Sequence, residues 1–200
     1  PFTLSLGTAY KRSLKPYESA DEHWSWNSIR PKVGITLRPG GGMLAIETIY
    51  QPNVILFEDE NISQSLNKVV HELTLRTLWQ VFPKTSVVSQ VSLSPVRYMG
   101  DQSVAGNGSP VFGKHINSNP LRSAFGLQGL LTARFGLSLF VGYGASFYKT
   151  GDDFEGVIGK AEVAYYITPT ATVKLGGIRD FVDSFYSNYY TNTGGYLKYD

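Results

Sequence analysis

A net charge of +2 over 200 residues, with no basic cluster beyond Lys11-Arg12, excludes a nucleic-acid surface. The absence of cysteine excludes disulfides, thiolate metal sites and thiol redox chemistry. Charged residues make up only 17% and aromatics 14%, with 21 glycines. Soluble domains carry roughly 25% charged residues, so the mix points to sheet with a ring-rich surface. No run of apolar residues is long enough for a transmembrane helix, and no signal-like segment opens the sequence, as expected of a mature or trimmed form.

Apolar residues recur with period two along the whole chain, so the expected fold class is all-β, a single domain over residues 1–200. A first strand over 2–11 puts Phe2, Leu4, Leu6, Thr8 and Tyr10 on one face. The second, over 28–38, is the clearest: Ile29, Pro31, Val33, Ile35 and Leu37 oppose Arg30, Lys32, Gly34, Thr36 and Arg38. The third, 43–57, sets Leu44, Ile46, Tyr50 and Val54 against Ala45, Glu47, Gln51 and Asn53. The fourth, 69–81, sets Leu73, Leu75 and Trp79 against Glu72, Arg76 and Gln80, and the fifth, 86–98, sets Val87, Val91 and Leu93 against Gln90, Ser92 and Ser94. Strands over 121–131 and 135–148 follow, then one over 156–167 with Val157, Ala161, Val163 and Tyr165 against Lys160 and Glu162. Two weaker strands, 171–181 and 189–199, complete about ten.

Short and long connections alternate strictly. Turns fall at 39–42, 83–85, 132–134 and 168–170, and longer polar segments at 12–27, 58–68, 99–120, 149–155 and 182–188. That alternation, strands of 10 to 14 residues and aromatics gathered at strand ends are the marks of a transmembrane antiparallel up-and-down β-barrel of the bacterial outer membrane. Pro31, Pro52 and Pro95 lie toward the loop ends, where a missing ladder donor costs least. Periodicity does not say which face meets oil. A soluble β-barrel or sandwich binding a small apolar ligand is the alternative, with the same charges as its wetted surface.

The stretch from Glu162 to Tyr199, with "YYITPTATVKLGGIRDFVDSFYSNYYTNTGGYLKY", resembles the repeating hairpin of the β-barrel porin 2 family. "SIRPKVGITLRPGGGMLAIETIYQPNV" and "LWQVFPKTSVVSQVSLSP" share its cadence, so the likeness covers most of the chain. The resemblance is one of pattern and turn style and transfers no catalytic residue. It implies an outer-membrane channel or export-associated barrel, in a family often longer than this chain. Closure with ten strands and membership in a larger barrel both stay open.

On the barrel reading the lumen receives Arg30, Lys32, Arg76, Arg122, Lys160 and Lys174 with Glu47, Glu72 and Glu162. Such a set forms either a salt-bridged plug or a cation-lined path for anionic solutes. The expected role is a pore or the membrane anchor of an envelope assembly, without catalysis. His23, His71 and His115 show no ligand spacing, no G-x-S-x-G elbow occurs, and neither metal nor cofactor is expected. Gly40–Gly42 is a turn rather than a phosphate loop, and the acidic stretch 151–155 lacks calcium-loop spacing. The expected partners are outer-membrane lipid and other envelope proteins. The latter would meet the segments 12–27 and 99–120, through Tyr17, Trp24, Trp26 and Phe112, the alternative being that these rings fold into the barrel mouth.

Overall fold

A computed structural model of the chain describes residues 1–14, 25–60, 63, 66–100, 117–148, 153–168, 170–183 and 189–199. Its strands are β1 (Phe2–Ser13), β2 (Trp26–Leu37), β3 (Leu44–Phe57), β4 (Lys68–Phe82), β5 (Thr85–Leu93), β6 (Val96–Tyr98), β7 (Ser118–Leu130), β8 (Phe135–Tyr148), β9 (Phe154–Thr168), β10 (Ala171–Asp183) and β11 (Tyr189–Tyr199). They form one antiparallel sheet in chain order, with β6 continuing β5 between β4 and β7, so eleven strands make ten staves. The strand ends joined by short connections therefore all lie at one end of the sheet.

Two local departures from plain alternation trace to proline. The expected strand 86–98 is broken, because Pro95 has no amide to donate. β5 ends at Leu93, the Pro95 carbonyl takes the His71 amide at 2.9 Å, and β6 resumes against Lys68–Val70. Between β2 and β3 the ladder pairs Ile29 with Val54 and then Val33 with Tyr50; the interval holds Pro31 and Pro52, which fall opposite each other. Between β3 and β4 the Ser63 amide donates to the Asp59 carbonyl at 2.8 Å, a helix-like bond in a stretch expected to be plain loop. The turn from β2 to β3 runs through Gly40, Gly41 and Gly42 at φ 62°, 81° and 96°, a left-handed run that only glycine adopts cheaply.

The sheet is strongly curved. In a flat sheet β7 and β10 would lie about 14 Å apart, three spacings of the ladder and more than an arginine side chain covers. Arg122 on β7 nonetheless donates from Nη2 to the Phe181 carbonyl of β10 at 2.7 Å. Arg76 on β4 likewise reaches over β5 to Gln128 on β7 at 2.8 Å. Both contacts lie on one face, which is therefore concave.

Candidate functional site

The convex face carries the apolar row of each strand, and it is bare. Leu6 is 73% exposed, Leu175 62% and Val141 61%, and Leu4, Ile35, Leu75, Trp79, Phe125, Leu139, Val163 and Leu197 are exposed with them. Register joins these positions strand to strand, Leu4 opposite Ile35, Leu75 opposite Val91 and Leu175 opposite both Val163 and Leu197. The apolar surface is thus continuous across the sheet, far beyond the isolated apolar residues that soluble surfaces show.

The concave face carries the polar row, and its side chains meet. Arg76 lies 3.7 Å from Glu47, Arg122 3.1 Å from Asp180, and Lys160 3.8 Å from Glu162. Glu162 also accepts a hydrogen bond from Tyr196, two strands away on β11. These groups surround two cavities of about 430 and 460 Å³ that share Gln128, Ser138 and Lys160. The first holds Arg76, Arg122, Lys160 and Asp180, with Phe140 and Ile158 as an apolar wall. Arg76, Arg122 and Lys160 each have a carboxylate within 4 Å, while Arg179 lines the same cavity with no ion pair among the described residues.

Glycines make the crowding of this face possible. A Cβ on Gly126 would sit 2.1 Å from the Leu139 carbonyl oxygen and 2.7 Å from the Phe140 ring, so the ring lies where a side chain would be. A Cβ on Gly144 would meet the Phe181 ring at 2.6 Å. Parity along β10 puts Phe181 on the convex side with Leu175, yet its ring is fully buried against Phe154 at 4.2 Å, under the Arg122 guanidinium at 4.1 Å. Pairing of β10 with β9 ends at Arg179, and Asp180 accepts the Phe181 amide, which frees the strand to turn inward there. Phe154, Ile158, Phe181 and Tyr189 then cap the loop-end of the concave face.

Of the expected lumen residues, Glu47, Arg76, Arg122, Lys160 and Glu162 come together in this cluster. Arg30, Lys32, Glu72 and Lys174 stand on the same face outside it: Arg30 donates to Ser28 at 3.2 Å, Lys32 pairs with Gly7, Glu72 with Gln51, and Lys174 with Ala164 and Lys198. Sequence reading missed Asp180, Gln128 and Tyr196. Asp180 was within reach, since it lies an even number of residues from Lys174 and so shares its face. His71 belongs to the convex face, where Nδ1 lies 2.8 Å from the Tyr50 hydroxyl. Trp26, expected in a loop, opens β2 instead and is 8% exposed, with Lys11 5.0 Å above its ring. Tyr17, Trp24 and Phe112, like His23 and His115, lie outside the described residues.

At the loop-end margin the convex face turns polar. Arg12 donates from Nε and Nη2 to the two oxygens of Glu58, each at 2.7 Å, and Asn27 donates to the same carboxylate at 2.9 Å. The Arg12 bond first, and the Asn27 bond after it, hold the Glu58 pKa down at about 2.

Comparison with known proteins finds no matching family model, no matching curated protein and no matching solved structure.

Proposed function

We propose that the chain is an integral β-barrel of the bacterial outer membrane that serves as the membrane anchor of an envelope assembly and catalyses no reaction. The observation that carries this reading is the convex face: long strands expose a continuous apolar surface while the charged side chains, three ion pairs among them, gather on the other side. A soluble barrel or sandwich would bury those rows and wet the charges, the reverse arrangement. Outer-membrane lipid is the partner of that surface. The porin-like hairpin cadence supports the same placement, and the segments 12–27 and 99–120, on the long-connection side, are the proposed contacts to other envelope proteins.

The anchor is favoured over an open pore by the charge balance of the concave face. The Arg122–Asp180 ion pair and the Arg122 bond to the Phe181 carbonyl cross it, the Glu47–Arg76 and Lys160–Glu162 pairs lie along its wall, and Phe154 and Phe181 stack over its loop end. Pores keep one sign of charge unpaired along the path. Carbonate extraction of cells producing the protein tests the reading: it is expected to stay in the membrane pellet and to dissolve only in detergent, and recovery in detergent-free buffer would reject it. In planar bilayers little or no conductance is expected. A steady anion-selective current would replace the anchor by the pore.

A further inference from the structure

Among the described residues β1 pairs only with β2 and β11 only with β10, and these two edge strands are exposed on both faces. Free backbone donors and acceptors along a whole strand template further pairing in water, and against hydrocarbon they are not tolerated. We propose that the two edges pair with each other, closing a ten-stave barrel in which Leu197 faces Thr8. The need for closure rests on the membrane reading above.

Direction, curvature and stagger all favour the chain's own edge as the occupant. β1 starts at the short-turn end and β11 returns to it, so the two meet antiparallel, as the rest of the sheet does. β4, β5, β7, β8, β9 and β10 all contribute to the wall of one 430 Å³ cavity, so six of the ten staves already curl around a shared interior and bring the two edges round toward each other. A wall shared with a second copy would hold twice the staves and curve about half as much.

The stagger comes from the registers. The row of paired residues that begins at Phe2 passes through Leu37, Thr77, Phe125 and Gly159 and arrives at Thr193, well above the end of β11 at Tyr199. The sheet therefore drifts toward the loop end along each circuit, which is the shear a closed barrel requires. Ten staves tilted at roughly 35–45° advance by about 10 to 14 residues per turn. The observed drift favours the low end of that range, and the advance must be even for convex to meet convex. An advance of about 10 sets Leu197 opposite Thr8, Gly195 opposite Tyr10 and Tyr196 opposite Ala9. The last of these is again a ring beside a small residue, as at Gly126 and Phe140.

These 200 residues contain no cysteine, which allows a clean test in the intact chain. Thr8→Cys with Leu197→Cys is oxidised in detergent extracts beside a control, Leu175→Cys with Leu197→Cys, whose residues are paired in β10 and β11. The same partner is combined with Leu6→Cys and with Tyr10→Cys, the same-face neighbours. An intrachain bond is expected, highest at Thr8 and comparable there to the control. Disulfide-linked dimers would make a second copy the occupant and overturn the proposal. No bond at any of the three, with the control bonded, would overturn it too, leaving other strands on these edges. Fractionation of the same cells keeps the two readings apart. Protein found in the aqueous fraction rejects the membrane reading whether or not the bond forms, whereas membrane-borne protein without the bond rejects closure alone.

Discussion

The convex and concave faces are built by the same strands and obey different rules. On the convex face most positions need only to be apolar: Leu, Ile, Val, Phe and Trp stand in the same rows and are exposed. On the concave face each position answers to a partner. Gly126 is glycine because of Phe140, and Arg122 reaches Asp180 and the Phe181 carbonyl across two intervening strands. The convex face is thus specified by its solvent and the concave face by fit, and substitutions on the two should fail for different reasons.

The largest effect is expected where the solvent is challenged. Leu139→Arg places a charge in the middle of β8 on the bare face. If that face meets hydrocarbon, about 2–4 kcal/mol of folding stability is lost in lipid vesicles, measured by denaturant titration. If it meets water, an exposed Leu-to-Arg change stays within about 0.5 kcal/mol, and the contrast between the faces loses its basis. Fit is challenged next by Arg122→Ala, which removes the Asp180 ion pair, the bond to the Phe181 carbonyl and the stack on the Phe181 ring. A loss of about 2 kcal/mol is expected, less than for a fully buried pair because both side chains keep some water contact. The double change Arg122→Leu with Asp180→Leu should recover part of it, since no charge is then left alone. Full additivity of the two single changes would show that the cross-sheet pair is not a unit.

How much was legible in the sequence follows from the same contrast. The convex rows were readable because alternation is a local signal: Ile29 to Leu37 announces its face without reference to any other strand. Which concave residues meet was not, because Arg76 with Gln128 and Arg122 with Asp180 depend on curvature that no single strand encodes. Parity alone sets Phe181 on the wrong face for a related reason. Its ring is drawn inward by Phe154 and Gly144, on strands it adjoins only in three dimensions. Alternation carries a single strand through Pro95, whereas the ladder stops at Leu93 and resumes at Val96 on either side of it. Trp26, expected in a loop, was placed in the wall by register with Ser13 and Phe57.

The smallest expected effect lies at the polar margin of the convex face and sharpens where the apolar band stops. Glu58 is a carboxylate whose folded pKa, about 2, lies below the value of 4.5 it has when unperturbed, because Arg12 and Asn27 donate to its charged form. The unfolded chain therefore takes up a proton more readily than the folded one. The stabilisation is complete above the unfolded pKa, shrinks as pH falls below it, and is gone once pH has passed through the folded value. Between pH 4.5 and 2 the denaturation midpoint of the wild type should thus fall more steeply than that of Glu58→Gln. The difference is expected to be slight, since the pair stands in water, and to shrink further in 1 M salt, where screening acts within about 3 Å. A difference that survived high salt would place the Arg12–Glu58 pair in a low-dielectric setting and push the hydrocarbon boundary out beyond the ends of β1 and β3.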